Sequence, residues 1–313
     1  DDTLALNDCK IEHNEEKGGV YIKCPIEEFQ QLGFEYGDSG NIIFSNEYSM
    51  TDVPYHTGDY VDMGNPVLVA YPEQSEIEVH IYHGDDIWKI AGLDDSMTAS
   101  VVLNEKGKYQ DEQTINGLTY TYEQGDLPDA VYANFRAVNV GNLKENILYR
   151  SSSPVDNQIN RASVTDKLCQ EANIQYVINM ADGKDDIESF IDQDDFDSPW
   201  YSELYERDQV CALDMDINVN TEQLFQKLAE GFTNMAHHDG PYLVHCLEGK
   251  DRTGVACMLL EALAGASEDE IIQDYMKTYD NYYSLTEDTD AELYSKIRAA
   301  NIDKMITFIT DGR

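Results

Sequence analysis

The spacing of hydrophobic and polar positions divides this chain into two parts. Up to about residue 125, short apolar or alternating runs are separated by turn signals such as Gly-Asp-Ser-Gly at 37–40 and Asn-Gly at 116–117. Runs of this kind are typical of β-strands joined by tight turns. We therefore predict a small antiparallel sheet or barrel in this part. Its strands are expected at 20–22, 41–44, 66–71, 77–82, 100–103 and 118–122.

Beyond Gly125-Asp-Leu-Pro128, short apolar runs alternate with segments of helical periodicity. Strands that alternate with helices form a mostly parallel sheet with helices on both faces. We therefore predict an α/β domain at 128–313, preceded by a β-rich accessory domain at 1–127 that contains no recognisable chemical motif. The strands are expected at 135–138, 146–149, 175–179, 209–213 and 242–245, and the helices at 160–172, 221–237, 255–264, 268–283 and 291–310.

Residues 241–266 carry the strongest chemical signal. An apolar run, Pro241-Tyr-Leu-Val, is followed by His245 and Cys246, a five-residue loop, Arg252 and an apolar helix-like run. A loop that leaves a strand and enters a helix points its backbone N–H groups inward, and the helix N-terminus adds partial positive charge. This field binds an anion and favours the thiolate form of Cys246. A thiolate on the floor of a phosphate cradle indicates nucleophilic attack on phosphorus.

His-Cys-x5-Arg-Thr at 245–253 resembles the signature loop of the cysteine-dependent protein tyrosine phosphatase superfamily. The form Gly-Lys-Asp-Arg-Thr-Gly at 249–254 is similar to that of atypical bacterial tyrosine and phosphoinositide phosphatases, and Asp-Arg-Thr also occurs in myotubularin-like lipid phosphatases. The resemblance implies the phosphatase fold over about residues 130–313. It also implies hydrolysis of phosphomonoesters through a phosphocysteine intermediate, without a metal ion or organic cofactor.

The resemblance gives each residue of the loop a role. Cys246 is the expected nucleophile, and the planar guanidinium of Arg252 suits two phosphate oxygens, which a lysine would not match. His245 is expected to be buried and to orient the loop from behind, and the hydroxyl of Thr253 to hydrogen-bond the cysteine sulfur. The backbone N–H groups expected to bind the remaining phosphate oxygens are those of Leu247, Glu248, Gly249, Lys250, Asp251 and Arg252.

The leaving oxygen needs a proton, so a general acid is required. Asp214 ends the strand before the signature strand, at a separation from Cys246 similar to that between acid and nucleophile in dual-specificity phosphatases. Asp251 lies inside the loop, at the position proposed as the acid in Asp-Arg-Thr lipid phosphatases. Asp216 is a third candidate. The chain has no Trp-Pro-Asp motif, which departs from the classical tyrosine phosphatases and leaves the assignment open.

Charge and the residues around the loop limit the partners. With 61 acidic and 21 basic residues the net charge is −40, which argues against nucleic acid and anionic membrane surfaces. No run of about 18 apolar residues suits a membrane span. The expected partner is a phosphorylated protein or a small phosphomonoester, and the oligomeric state stays unknown.

Three functions remain open, in this order. A protein-phosphotyrosine or dual-specificity phosphatase comes first. A pocket for a flat phenyl phosphate would be lined by Tyr201, Tyr205, Tyr279, Tyr282 and Tyr283, although tyrosines at helical spacing more often serve packing. A phosphoinositide or inositol-polyphosphate phosphatase comes second, because Lys250 contacts extra phosphates in related lipid phosphatases, although Glu248 places a negative charge beside it. An inactive phosphate-binding surface module is the alternative from another class.

The chain begins Asp-Asp-Thr without an initiator Met, which suggests either a removed signal peptide or a trimmed chain. Export from a bacterial cell is the expected location, and a cytoplasmic one stays open. The six cysteines show no C-x-x-C spacing, so no zinc site is predicted. Cys9 and Cys24 would suit a disulfide in an exported protein, but the sequence does not give their distance. The six cysteines are Cys9, Cys24, Cys169, Cys211, Cys246 and Cys257.

Overall fold

The chain divides into two compact units in the computed structural model, which describes residues 3–215, 221–303 and 305–306. The units are Asp1–Leu118 and Thr119–Arg313. Within the described residues, no helix is long and apolar enough to cross a membrane.

In the first unit, seven strands form a closed barrel in the order β1-β2-β6-β5-β4-β3-β7. The strands pair antiparallel except for β4 and β5, which are parallel. Alternate side chains such as Ile77 and Val79 enter the apolar core. The strands are β1 Ala5–Asn14, β2 Gly19–Pro25, β3 Ser39–Phe44, β4 Ser49–His56, β5 Pro66–Val69, β6 Glu76–Ile81 and β7 Thr98–Glu105, and the helices are α1 Ile26–Gln31, α2 Ile87–Ile90 and α3 Gln110–Asn116.

Cys9 lies on β1 and Cys24 on the neighbouring strand β2, and the Cys24 thiol donates to the carbonyl of Pro25 at 3.5 Å. Both are free cysteines in this structure, as are the other four. Burial raises the pKa of Cys24 to about 11, so its thiol form is favoured at neutral pH.

The segment after α3 is a correction to the predicted strand at 118–122 and to the predicted boundary after residue 127. Residues 118–122 form no strand, and residues 119–127 belong to the second unit. The Nη2 of Arg161 donates to the Thr121 carbonyl at 2.9 Å, and the ring of Tyr120 lies 4.6 Å from that of Tyr282. The alternating side chains therefore pack against the α/β unit instead of forming a sheet ladder.

In the second unit, a five-stranded sheet has the order β11-β10-β12-β9-β8. Strands β9, β10, β11 and β12 are parallel, whereas β8 runs antiparallel to β9, so the sheet is mixed. Val244 and Ile178 pack into one apolar cluster and Leu243 and Val177 into another, which shows that both faces are covered. The strands are β8 Arg136–Ala137, β9 Leu148–Ser151, β10 Tyr176–Asn179, β11 Val210–Ala212 and β12 Tyr242–His245.

Helices surround this sheet. The Asp-rich stretch after β10 is helical over residues 184–191, and it buries Ile187 against the sheet. The helices are α4 Asp129–Tyr132, α5 Ala162–Glu171, α6 Lys184–Ile191, α7 Pro199–Glu206, α8 Thr221–Ala236, α9 Asp251–Leu263, α10 Glu268–Tyr283 and α11 Ala291–Ile297, followed by a π-helical segment at Arg298–Asp303.

Candidate active site

Cys246 directly follows the central strand β12, and Asp251 begins α9. The strands β9 and β10 flank β12 in parallel, so their carboxyl ends meet at the edge where Cys246 lies. The cysteine is 3% exposed. The sheet therefore places the cysteine loop, residues 246–250, among the loops that leave β9, β10 and β11.

The carbonyl groups of the cysteine loop are held on its outer side. A trans peptide points its N–H opposite to its C=O, so the N–H groups that follow these carbonyls point to the inner side of the loop. Within the described chain, the N–H groups of residues 247–252 donate to no other group. This arrangement suits an anion. The Leu247 carbonyl accepts from the Ser153 N–H at 2.9 Å. The Glu248 carbonyl accepts from the Tyr282 hydroxyl at 2.6 Å, and the Gly249 carbonyl from Arg150 Nη2 at 2.9 Å.

Gly249 lies where the cysteine loop touches the end of β9. Its φ is +68°, a conformation that side chains with a Cβ rarely adopt. A Cβ at this position would overlap the carbonyl of Ser151. The close packing of loop on strand therefore requires glycine here.

A buried ion-pair network supports the loop from behind. Arg150, which is fully buried, donates to Gly249 and pairs through Nη1 with Asp274 at 2.7 Å. Arg136 pairs with the other oxygen of Asp274 at 2.8 Å. Burial opposes ionisation of Asp274, but the two arginines outweigh it and hold the pKa of this carboxyl well below its usual range. The nearby Glu261 is fully buried, and burial together with the charge of Asp274 raises its pKa to about 10, so Glu261 is neutral.

His245 and Thr253 lie on either side of the loop and are both buried. Burial lowers the pKa of His245 to about 4, so the imidazole is neutral, and its Nδ1 lies 3.1 Å from the Cys246 carbonyl. The burial expected for His245 is thus observed, and its role in orienting the loop stays a prediction. The Thr253 hydroxyl has no hydrogen-bond partner among the described residues, so the predicted bond to the sulfur is not formed in this structure.

Arg252 lies in the first turn of α9 and reaches the loop that follows β11. Its Nη1 donates to the carbonyl of Met215 at 2.8 Å. Met215 in turn donates its N–H to Met180 at 3.0 Å. These contacts hold the guanidinium at the carboxyl edge of the sheet, beside the loops after β10 and β11.

The two acids predicted from the sequence both face solvent. The side chain of Asp251 is 72% exposed and lies 3.9 Å from Lys250. Asp214 is exposed as well, with φ +47°, and donates its N–H to the carbonyl of Asp182 at 3.2 Å. The third candidate, Asp216, lies outside the described residues.

Asp182, on the loop after β10, is a buried carboxyl at the same edge, 8% exposed. Its Oδ2 accepts from Asn179 Nδ2 at 2.9 Å, and its N–H donates back to Asn179 Oδ1 at 3.0 Å. Burial raises the pKa of Asp182 to about 6; Asp156 and Asp186 add to this rise, while Asn179 and Arg252 oppose it. In the part of the chain described, Asp, Glu, His and Cys side chains form no group of three or more that would hold a metal ion.

Lys250 carries a charge that neighbouring groups already contact. Its Nζ lies 3.2 Å from the Glu248 carboxylate and 3.3 Å from the Tyr283 hydroxyl. Burial lowers the pKa of Lys250, but Asp251 and Glu248 outweigh burial and raise it above its ordinary value. Lys250 therefore stays charged and paired.

A family model described as the tyrosine phosphatase family matches residues 132–310, more than half of the chain. The match includes β12, the cysteine loop and α9. The chain belongs to the tyrosine phosphatase family.

Individual relatives match this chain over short stretches or at low sequence identity. The tyrosine-protein phosphatase of Nostoc commune is 44% identical over 54 residues, which cover 17% of this chain and 16% of that protein. The chain thus spans about a sixth of the length of this curated relative. Among solved structures, the core catalytic domain of the PP-IP phosphatase SIW14 from S. cerevisiae is 18% identical, with a TM-score of 0.31, over 57% of this chain and 92% of that one. TpbA from P. aeruginosa is 18% identical, with a TM-score of 0.28, over 51% and 84%.

Sequence reasoning about this tyrosine phosphatase family member missed two residues of the site. Asp182 lies three residues after the buried strand β10, but its neighbours in the sequence gave no reason to single it out among many aspartates. Asp274 lies in a helix of ordinary amphipathic pattern. The sequence does not show that Arg136 and Arg150 both form ion pairs with Asp274 behind the loop.

Proposed function

We propose that the chain is a phosphatase that hydrolyses phosphomonoesters through a phosphocysteine intermediate on Cys246. The observation that supports this most directly is the backbone of the cysteine loop, whose carbonyls are held outward and whose N–H groups point inward. The N-terminus of α9 adds partial positive charge at the same place. A thiol at the floor of such a cradle is a nucleophile placed against a phosphate group.

In the proposed reaction, the thiolate of Cys246 attacks phosphorus, and the leaving oxygen departs with the bonding electron pair and takes a proton. Water then attacks the phosphocysteine, which releases phosphate and restores the thiolate. The N–H groups of residues 247–252 and the guanidinium of Arg252 hold the non-bridging oxygens in both steps, where charge develops. No metal ion or organic cofactor takes part.

For the substrate, we propose protein phosphotyrosine, with dual specificity included. Lys250, the cation that a second phosphate of an inositol ring would need, is already paired with Glu248 at 3.2 Å. The rings of Tyr120 and Tyr283, 6.1 Å apart, lie on the Lys250 side of the loop and suit a phenyl group. These contacts favour an aryl monophosphate over a polyphosphate.

The mechanism is tested by hydrolysis of p-nitrophenyl phosphate. Cys246→Ser is expected to lower kcat by about 10⁴-fold or more, because the hydroxyl is a far weaker nucleophile than a thiolate. Cys9→Ser, in the barrel, is the matched control and should retain wild-type turnover. If the wild type binds vanadate but turns over nothing, the chain is a phosphate-binding module instead.

The substrate class is tested by comparing kcat/KM for a phosphotyrosine peptide, a phosphoserine peptide and inositol hexakisphosphate. We expect the phosphotyrosine peptide to exceed the inositol compound by at least about tenfold, or roughly 1.4 kcal/mol in transition-state binding. The reverse order would replace this substrate assignment with the inositol-polyphosphate alternative.

A further inference from the structure

A general acid in this reaction has to stand beside the leaving oxygen and to be protonated when the P–O bond breaks. Both carboxyls that the sequence offered within the described chain, Asp214 and Asp251, face solvent. Neither carboxyl is enclosed by the protein. The buried carboxyl of Asp182 differs from both.

We propose that Asp182 is the general acid of the phosphatase, an inference that rests on the function proposed above. The position follows from the backbone contacts around Cys246. Asn179 pairs with His245 in the parallel register, and Met180 donates its N–H to the His245 carbonyl at 2.8 Å. The loop after β10 therefore leaves the sheet next to the cysteine loop, with Asp182 at its turn.

Backbone hydrogen bonds also join the loop that carries Asp182 to the loop after β11. The carbonyl of Asp182 accepts from the Asp214 N–H at 3.2 Å, and the Met180 carbonyl accepts from the Met215 N–H at 3.0 Å. Met215 also accepts from Arg252 at 2.8 Å. Asp182 is thus tied through the backbone to the arginine that would hold the phosphate.

The side chain of Asp182 is fixed by a fully buried partner. Asn179 donates from Nδ2 to Asp182 Oδ2 and to the Tyr201 hydroxyl, each at 2.9 Å. Its Oδ1 accepts from the N–H groups of Ala181 and Asp182, each at 3.0 Å. No described residue donates to the other carboxyl oxygen, Oδ1. Asn179 thus orients the carboxyl through one oxygen.

Burial, together with two neighbouring carboxylates, favours the protonated form of Asp182. Burial raises its pKa to about 6, and Asp156 and Asp186 act in the same direction, while Asn179 and Arg252 oppose them. The Tyr201 hydroxyl and the neighbouring Asp214 complete the groups on this side. A bound phosphate dianion offsets the charge of Arg252, so substrate binding raises the pKa of Asp182 further.

The step balances in atoms and charge. As the sulfur–phosphorus bond forms, the bond from phosphorus to the leaving oxygen breaks, and the proton of the Asp182 carboxyl passes to that oxygen. The resulting carboxylate then takes a proton from the water that attacks the phosphocysteine. The sulfur–phosphorus electron pair returns to Cys246 as thiolate.

The test compares wild type with D182N, D214N and D251N, using phenyl phosphate and p-nitrophenyl phosphate. Because phenolate leaves less readily than p-nitrophenolate, D182N is expected to lower kcat for phenyl phosphate by about 10²–10⁴-fold, and less for p-nitrophenyl phosphate. The basic limb of the kcat/KM profile should disappear in D182N. In the wild type, the basic limb of kcat should lie at higher pH than that of kcat/KM.

The controls separate chemistry from folding and from loss of charge. Asp185→Asn removes one negative charge from the exposed first turn of α6 and should retain the basic limb. Vanadate binding by D182N reports an intact cradle. If D182N does not fold, D182E serves instead; it keeps a proton donor and should retain the limb with a reduced kcat.

Each outcome is distinct. If the basic limb of kcat/KM persists in D182N, or if D182E keeps both the limb and an undiminished kcat, Asp182 is not the general acid. If the limb is instead lost in D214N or D251N, that aspartate is the general acid. A wild type without Cys246-dependent turnover contradicts the proposed function itself. Cys246-dependent turnover that D182N leaves unchanged on both substrates overturns only the role of Asp182.

Discussion

Gly249 shows how a single residue determines the shape of the phosphate cradle. Its φ of +68° and its contact with the Ser151 carbonyl leave no space for a Cβ. We expect Gly249→Ala to lower kcat/KM by about 10²-fold or more, because displacing the loop by roughly 1 Å misaligns the reacting groups.

Gly125→Ala is the matched control for this prediction. Gly125 also has a positive φ, +54°, but nothing lies within 4 Å of an added Cβ. This variant should lose about 1–2 kcal/mol of stability and no activity. Equal activity in both variants would show that the contact with Ser151 does not control the site.

Asp182 also affects stability, in a direction set by its pKa. The folded pKa, raised to about 6 by burial, lies above the ordinary value of 3.8, so the stabilisation is full below the unfolded pKa and is lost as pH rises through about 6. Asn does not ionise and avoids that loss. D182N should therefore gain about 1–3 kcal/mol relative to wild type between about pH 4 and about pH 8.

Urea unfolding of D182N and wild type at both pH values measures this gain. D185N, at an exposed position, should run parallel to wild type across the same range. If D182N also runs parallel, the Asp182 carboxyl is not held in its protonated form by the fold.

The sequence places Cys246 and Arg252 relative to each other because the cradle is built from consecutive residues, while their catalytic roles stay a prediction. A strand, a five-residue loop and a helix start suffice to place them, and the structure brings them together at one sheet edge. The acid is different, because its environment is made by loops from three strands. The exposure of Asp214 and Asp251, and the burial of Asp182, depend on that tertiary packing.

Asp274, on helix α10, forms ion pairs with Arg136 on strand β8 and with Arg150 on strand β9. Asp274→Asn leaves the fully buried Arg150 and the largely buried Arg136 without their carboxylate partner, which costs about 3–5 kcal/mol. Neutral Glu261 would ionise in response and reduce the loss. We therefore expect the cost of D274N to be larger in an E261Q background.

Urea unfolding of both single variants and the double variant measures this coupling. Asp280→Asn is the control on the same helix, because Asp280 forms a surface ion pair with the half-exposed Lys277 at 2.6 Å. It should cost less than about 1 kcal/mol. A D274N cost that E261Q leaves unchanged would mean that Glu261 does not compensate.

Elements were predicted well where periodicity and burial agree. Strands β10 and β12 are continuous apolar runs, and both were expected. Strand β4 was missed because it contains Asp52 and Pro54, which disfavour a strand, and β1 was missed because only two of its ten residues are buried. The sequence pattern alone does not show that a neighbouring strand supplies the backbone hydrogen bonds that keep such residues in a strand.

At the scale of the whole molecule, the net charge of −40 opposes the approach of an anionic substrate. A phosphotyrosine peptide flanked by Lys and Arg should therefore show a higher kcat/KM than one flanked by Asp and Glu, by about tenfold at low salt. Raising the ionic strength from about 0.01 M to about 0.15 M shortens the screening length from roughly 30 Å to roughly 8 Å. The difference in kcat/KM between the two peptides should therefore become smaller at the higher ionic strength.

Initial rates for the two peptides at both salt concentrations measure this effect. The kcat values should change little, because the field acts on encounter and not on the bound complex. A preference for the acidic peptide, or a gap independent of salt, would show that local groups at the site outweigh the overall charge.

The central claim is that Cys246 forms a covalent bond to phosphorus during turnover. The most direct measurement is acid quenching of the enzyme within the first turnovers of p-nitrophenyl phosphate, followed by mass spectrometry of its peptides. We expect one phosphoryl group on the peptide that contains Cys246 in the wild type, and none on this peptide in Cys246→Ser. A phosphoryl group on another residue, or wild-type turnover by Cys246→Ser, would contradict it.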